Sequence, residues 1–475
     1  MWQLPEKKTK AIYQSIVELV MNHIKAGRLL PGEKLPPERQ LAAAFGVNRS
    51  TVVHALDELE AMGVIIRKQG SGTLINEGKW GIYTGASTNW RSYLSGAFNH
   101  RDPYLEKVSQ LAKNPGGRVI DAYTGELPLE LIPSLALPSI SWNDFLVEES
   151  LQDELGYLPL RQQIVTHLNH ERELSLTTDQ LLLTSGAQQA LFLIIQVLLQ
   201  SGDAVAIEEP SSFYPLPIFQ AAGIRLYGVP VDGQGMKVEL LEQMIIKRKI
   251  KMVLVNPNFQ NPTGSTMSLP RRKQLVSLCQ QYQIPIVEDD VFSQLYFSEK
   301  DKPVLLKQLD SENVIYIGSL SKILGATTKI GWLSAPVKVA QQLAEARKEM
   351  DFTLSIFPQV LASSALSNRQ FDQQIKVLRQ ELKRRRDVLI GYLKEFLGRE
   401  VSYVVPEGGY YLWLQVEKRT LKQGDFDFLL ELGGLVAPSF TFGVNRQSLR
   451  INFARLTHKD ALRLVKLIHK MIYKS

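Results

Sequence analysis

Four places in the chain carry residue types that one kind of chemistry could use together. Lys322 closes the run Gly318-Ser-Leu-Ser-Lys322, which follows the apolar stretch Val314-Ile-Tyr-Ile317. Asp289 lies in Glu288-Asp289-Asp290, after Ile284-Pro-Ile-Val287. Asn261 lies in Asn256-Pro-Asn-Phe-Gln-Asn-Pro-Thr-Gly264, after Val253-Leu-Val255. Ser185-Gly-Ala-Gln-Gln-Ala-Leu191 follows Leu181-Leu-Leu183 and opens a helical pattern. A lysine can form a Schiff base with a carbonyl. A carboxylate can pair with a pyridine nitrogen and make the ring an electron sink. A small-residue turn at a helix N-terminus offers backbone amides to a phosphate. Together these are the requirements of pyridoxal phosphate. Singly, each has a bland reading: Ser-Gly turns and acidic strand ends are common in loops, and a lone lysine is most often a surface residue. Four strand ends, three of them carrying these chemistries, make coincidence a poor account.

Those four sites need a scaffold that brings strand ends to one edge. From about residue 118 the pattern supplies it. Helical stretches at 187–200 and 270–283 alternate with short apolar runs such as Ala204-Val-Ala-Ile207. Strands alternating with helices predict an α/β domain with a largely parallel sheet. Ligands of such open sheets sit at the carboxyl edge of the strands. After residue 340 a long helical stretch leads into an α+β tail. Within it, the run Lys383-Arg-Arg-Arg386 sits among Ile375, Leu378, Leu382 and Leu389, and reads as a solvated helix face.

A chain of 475 residues exceeds one ordinary domain. Its 44% hydrophobic and 22% charged residues suit a globular protein and exclude a disordered one. Cys279 is the one cysteine, so no internal disulfide can form, and its apolar helical neighbours predict a packing role. The longest apolar run, Leu191–Leu199, contains Gln196 and is too short to cross a membrane. The amino-terminal residues lack the apolar core of a signal peptide, so a cytoplasmic protein with no membrane partner is expected.

The net charge of +7 permits a nucleic-acid partner without establishing one. Residues 1–78 carry ten Lys/Arg against eight Asp/Glu, so placement of charge matters there more than its sum. An amphipathic helix is predicted over 10–26, ended by Gly27. Pro37 stands as the first residue of a second helix that Gly46 stops. Asn48 is expected to cap a third with its side chain, carrying Val52, Val53, Leu56, Leu59 and Met62 inward. Val64-Ile-Ile66 and Thr73-Leu-Ile75 flank a polar tip and predict a β-hairpin. On this winged helix-turn-helix, Arg49, Ser50, Thr51 and His54 would face a DNA groove. Arg67 and Lys68 could reach the backbone or minor groove. Asp57, Glu58 and Glu60 lie on the far half of the third helix. Residues 79–117 read as a linker, part of which packs.

The string Pro31-Gly-Glu-Lys-Leu-Pro-Pro-Glu-Arg-Gln-Leu-Ala42, then Asn48-Arg-Ser-Thr-Val-Val53, then Gln69-Gly-Ser-Gly-Thr73 closely resembles the GntR family of bacterial repressors. That resemblance implies operator contacts from Arg39, Arg49 and the wing tip Gln69-Gly70. Residues from about 118 onward resemble the fold type I, aspartate-aminotransferase-like domain, and the two halves together resemble the MocR/GabR subfamily. The implied architecture is multidomain: an α+β winged helix-turn-helix over 8–78, a linker, then an α/β fold type I domain over 118–475 with a mostly parallel sheet and an α+β C-terminal subdomain. By motif, Lys322 would form the internal aldimine, Asp289 would pair with the pyridine nitrogen and Asn261 would face the ring hydroxyl. Gly186, Ala187, Gln188, Ser319 and Ser321 would surround the phosphate. Arg450, in Leu449-Arg-Ile-Asn-Phe-Ala454, would grip a substrate carboxylate. A homodimer is implied as well.

The chain departs from the family's pattern in three places. After Glu208-Glu-Pro210, where a ring-stacking aromatic is usual, stand Ser211-Ser212 and only then Phe213 and Tyr214. Where a tyrosine is expected after Asp289 stand Val291 and Phe292. The phosphate arginine seven residues past Lys322 is Lys329, which keeps the charge and loses the fork. These changes argue for a transcription regulator that senses an amine or amino-acid effector with weak or no transaminase turnover. The alternative is an active aminotransferase with an appended DNA-binding module.

Overall fold

Short aliphatic runs form strands because β-branched and aliphatic side chains fill a pleated surface buried on both faces. The structure, a computed structural model, describes residues 11–26, 28–68, 72–76, 103–113, 119–134, 139–350, 354–444 and 447–474. The chain divides into two compact units, 1–100 and 101–475. Gly27, the wing-tip residues Gln69 and Gly70, and 79–102 and 114–117 of the predicted linker lie outside the described residues.

In the first unit, α1 (Ile12–Lys25), α2 (Glu38–Phe45) and α3 (Arg49–Ala61) precede a hairpin of β1 (Ile65–Lys68) and β2 (Gly72–Ile75). The hairpin registers Ile65 with Ile75 and Lys68 with Gly72. Ile16, Val20, Leu41, Phe45, Val52, Leu56 and Ile65 form the core, as the helical spacing of the apolar residues requires. Gly46 takes the left-handed conformation that ends α2, at φ 64°. Three expectations are corrected, the first being Met62, which is exposed rather than carried inward. Pro37 caps α2 from outside rather than opening it. Asn48 stands at the N-cap of α3 but makes no side-chain cap; its backbone carbonyl takes the Thr51 amide instead.

The second unit opens with α4 (Pro103–Lys113), which falls inside the stretch read as linker. It packs on this unit: Tyr104 is buried, its hydroxyl donates to the Val436 carbonyl at 2.8 Å, and Lys107 pairs with Asp427. The short β3 (Ile120–Asp121) follows. The main sheet uses β4 (Leu181–Thr184), β5 (Ala204–Glu209), β6 (Arg225–Asp232), β7 (Gly235–Met236), β8 (Ile250–Val255), β9 (Ile286–Asp289), β10 (Val314–Ser319) and β11 (Gly331–Ser334). Their spatial order is β4-β11-β10-β9-β8-β5-β6-β7. Within it β11 runs antiparallel to both neighbours and β7 to β6, and the remaining pairs are parallel. The mostly parallel α/β sheet expected from the sequence is thus present. The predicted helices at 187–200 and 270–283 are α5 (Ala187–Leu198) and α6 (Leu269–Gln281).

A long helix, α7 (Arg369–Phe396), leads to a second sheet of β12 (Val401–Ser402), β13 (Tyr411–Val416), β15 (Ala437–Pro438) and β16 (Ser448–Asn452), ordered β12-β13-β16-β15. Between them β14 (Gly434–Leu435) pairs in parallel with β3, and α8 (His458–Ile472) closes the subdomain. The Lys383–Arg386 run on α7 is not a solvated face throughout. Arg385 donates to the Ala454 carbonyl and pairs with Glu381, while Arg386 donates to the Pro406 carbonyl and stacks 4.8 Å over Phe297. Guanidinium forks on long apolar stems can be buried where carbonyls meet them.

If α4 is integral to the second unit, removing its buried aromatic leaves a cavity there. Tyr104→Ala should lower the unfolding free energy of the second unit by about 3–4 kcal/mol. Urea denaturation checks this; a change under about 0.5 kcal/mol would place α4 with a loose linker instead.

Candidate cofactor site and DNA-facing helix

Parallel strands whose carboxyl ends share one edge deliver their following residues to one place. Asp289 ends β9, Asn256 follows β8, Ala187 begins α5 after β4, and Lys322 follows β10. Ala187, Gln188, Asn256, Asn261, Asp289 and Lys322 line a cavity of about 210 Å³. Leu191, Phe213, Leu216, Val291, Phe292 and Ile317 supply its apolar walls. The structure therefore brings together Lys322, Asp289, Asn261, Ala187 and Gln188. The remaining phosphate-side residues stand close behind. Gly186, at φ 95°, caps α5, and a Cβ there would lie 3.9 Å from Ser321 Oγ. Gly331 must be glycine, since a Cβ would meet the Gly186 carbonyl carbon at 2.7 Å. Ser319 is buried, and its hydroxyl donates to the Ile330 carbonyl and accepts the Ser321 amide. Lys329 is exposed, in a left-handed backbone conformation at φ 47°, and is not among the cavity's lining residues.

The Lys322 ammonium donates to the Gly125 carbonyl at 2.8 Å and lies 5.9 Å from the Phe292 ring centroid. The Tyr410 and Tyr411 hydroxyls donate to the same carbonyl at 3.2 and 3.0 Å. Arg450 is buried, with its guanidinium 4.2 Å over Tyr411 and 5.2 Å over Phe442. Its Nη1 donates to Asn261 Oδ1 and its Nη2 to the Tyr123 carbonyl, both at 2.8 Å, while Nε has no partner among the described residues. Phe213 lines the cavity, whereas Tyr214 is exposed. The sequence offered no signal for Gly125, Tyr410 or Tyr411. Asn256 stands at the start of the same motif as Asn261, Asn256-Pro-Asn-Phe-Gln-Asn-Pro-Thr-Gly264.

The electrostatics favour a cationic heteroaromatic guest. Asp289 Oδ1 is buried without a hydrogen-bond partner among the described residues. Burial and the adjacent Asp290 push its carboxyl up to about 7, against the opposing pull of Lys322. A protonated ring nitrogen is the kind of donor that such an oxygen lacks. The flat apolar walls, the amino terminus of α5 and the lysine fit the remainder of pyridoxal phosphate.

In the first unit, Arg39, Arg49, Ser50, His54, Arg67 and Lys68 are exposed and Thr51 is half-buried. Arg49 donates through Nε and Nη2 to Glu38. The His54 ring packs on Tyr13 with centroids 4.3 Å apart. Arg67 reaches back to Asp57 at 2.7 Å and Glu60 at 3.6 Å, the acidic half of α3.

In the cofactor-free protein, burial and Asp290 favour the neutral form of Asp289. Its contribution to stability is full below the ordinary value of 3.8 and is lost as pH rises through about 7. Asp289→Asn removes that titration. The variant should be the more stable protein at about pH 8, by on the order of a few kcal/mol, and nearly equal at about pH 4. Thermal melts across that range check the difference; a constant difference at every pH would contradict it.

Residues 125–468 match the family described as Aminotransferase class I and II, and residues 12–75 match Bacterial regulatory proteins, gntR family. The chain is 32% identical over 459 residues to the uncharacterized HTH-type transcriptional regulator YisV of Bacillus subtilis (strain 168), covering 95% of this chain and 94% of that protein. It is 29% identical over 427 residues to the HTH-type transcriptional regulator NorG of Staphylococcus aureus (strain N315), covering 89% and 95%. Kynurenine aminotransferase of Pyrococcus horikoshii, solved in complex with PMP and kynurenine, superposes with a TM-score of 0.70 at 27% identity over 79% of this chain and 95% of that one. Among the described residues no helix is long and apolar enough to cross a membrane. A gntR-family helix-turn-helix unit joined to an aminotransferase class I and II unit is the MocR/GabR architecture, and the chain belongs to that family of regulators.

Proposed function

We propose that this protein is a pyridoxal phosphate-dependent, cytoplasmic transcription regulator that binds double-stranded operator DNA as a homodimer and responds to a small amine bearing a carboxylate. The observation that carries the reading is the meeting of Lys322, Asp289 and Asn261 in one cavity. The kynurenine aminotransferase relative, which holds PMP, supports the cofactor. When bound, pyridoxal phosphate supplies an electrophilic carbon that a primary amine can take over from Lys322. The chain's own residues do the rest. Asp289 would hold a proton on the ring nitrogen, Asn261 would meet the ring hydroxyl, and the start of α5 would hold the phosphate. Arg450 would exchange the Tyr123 carbonyl and Asn261 Oδ1 for a carboxylate.

A working aminotransferase is the second reading. What favours the sensor is Val291 and Phe292, which line the cavity and carry no hydroxyl to tune the ring. Lys329 adds to this, because a lysine there keeps the charge but lacks the fork of an arginine. Titration with a panel of amino acids, with parallel keto-acid detection, separates the two readings. Spectral change with little product is expected, and rapid transamination of a common amino acid would overturn the sensor reading.

The holoprotein should be yellow, and Lys322→Ala should abolish the visible band that borohydride also bleaches. A band that survives in the variant would remove Lys322 from the site. On the DNA side, Arg49→Ala should weaken operator binding by about 1–3 kcal/mol if it reads a base edge. Mobility-shift titration with the native promoter measures this. Full binding in both Arg49→Ala and Arg39→Ala would defeat the assignment of the DNA-facing surface.

A further inference from the structure

Asn256 joins the two residues that would face the nitrogen and the hydroxyl of the cofactor ring. It follows β8, whose neighbours at the sheet edge are β5, carrying Glu208, and β9, carrying Asp289. Its backbone amide donates to Glu208 Oε2 at 2.9 Å. Its Nδ2 donates to the Asp289 backbone carbonyl at 2.6 Å, and its Oδ1 accepts the Asn261 backbone amide at 2.7 Å. The residue is 2% exposed and lines the cavity. Glu208 is itself anchored, accepting also from Gln260 Nε2, and burial pushes it up to about 8.

We infer that Asn256 is a positioning residue: its carboxamide fixes the backbone at Asp289 and Asn261 together, and so sets the angles at which both present to the ring. The inference rests on the cavity being a pyridoxal phosphate site. A carboxamide suits the task because it donates and accepts at once. A carboxylate would keep the acceptor for Asn261 but lose the donor to Asp289. It would also add a charge beside the buried Glu208 and Asp289. A hydroxyl is shorter and reaches one partner at a time. Asp289 itself cannot be steered by its side chain, since its Oδ1 has no partner among the described residues. Its orientation then depends on its backbone, which the ladder to Ile317 of β10 holds on one side and the Asn256 bond to its carbonyl holds on the other. Asn261 is likewise steered through its amide, leaving its side chain to Arg450.

The test uses the full-length protein, freed of cofactor and titrated with pyridoxal phosphate. Three quantities are read: the dissociation constant, the pH midpoint of the visible band, and the melting temperature of the cofactor-free protein. Asn256→Ala should bind pyridoxal phosphate about tenfold or more weakly, having left two buried partners unpaired. The midpoint should move upward, because a ring nitrogen less well paired with Asp289 is less protonated and withdraws less charge. Asn256→Ser, which keeps one polar atom, should fall between native and Ala on both measures. A native protein with no visible band overturns the cofactor reading and this inference with it. A native band with unchanged affinity and midpoint in both variants overturns the inference alone. A lowered melting temperature with the native midpoint would make Asn256 a turn-former and also overturn it. Should neither variant fold, Asn256 is a folding residue and the inference falls.

Discussion

Four carboxyl groups crowd the carboxyl edge of one sheet, three on buried residues and the fourth, Asp289, half-buried at the cavity, and the surrounding structure is arranged to hold them. Glu208, Glu288, Asp289 and Asp290 stand at the ends of β5 and β9, with the buried Arg272 4.0 Å from Glu288. Burying charge without partners is costly, so such groups either find donors or stay neutral. Glu288 receives the amides of Leu306 and Lys307. Asp290 receives Asn258, Ser293 and Tyr316. Glu208 receives Asn256 and Gln260. Asp289 is left with an unpaired oxygen in the cavity wall. A sheet edge that satisfies three of its carboxyls and leaves the fourth facing a cavity has the pattern expected of a binding site rather than of a packing accident.

Lys322 in the cavity wall and Arg450, which bonds the wall residue Asn261, are both engaged by backbone carbonyls. Along residues 122–126 every carbonyl accepts a bond: Ala122 from the Asn452 amide, Tyr123 from Arg450, Thr124 and Glu126 from the Asn452 side chain, and Gly125 from Lys322, Tyr410 and Tyr411. This short segment thereby ties the second sheet to the edge of the first. Any guest that takes Lys322 or Arg450 must replace these bonds rather than add to empty donors. Recognition at this site is then an exchange of partners, which favours selectivity between ligands over raw affinity.

Much of this was legible in the sequence. The apolar runs and their following small or acidic residues located the strand ends, and strand ends of a parallel sheet share an edge, so Ala187, Gln188, Asn261, Asp289 and Lys322 could be grouped before any coordinates. What stayed hidden depends on chain segments that meet across long separations. Gly125, Tyr410 and Tyr411 come from opposite ends of the second unit, and no local pattern says that they converge on Lys322. Lys329 illustrates a different limit of a count along the chain. Counting seven residues from Lys322 presumes the loop's path, and here the backbone turns left-handed at Lys329 and leaves it exposed. The charge run on α7 misled because periodicity reports a helix face, not whether carbonyls of Ala454 and Pro406 wait beside it.

The same exchange logic extends to the first unit. Arg49 and Arg67, both facing solvent, are held by Glu38 and by Asp57 and Glu60. Exposed ion pairs of this kind are worth little, on the order of 1 kcal/mol or less, so a phosphate can displace the carboxylate at small cost. Meanwhile the pairing with Glu38 ties the Arg49 guanidinium to α2, through Nε and Nη2. Arg67 is drawn the other way, toward the acidic end of α3. For it to contact DNA it must leave two carboxylates that stay behind uncompensated. Of the two arginines, Arg49 would therefore give up less on meeting a phosphate, and on the hairpin Lys68 has no ion pair to break among the described residues.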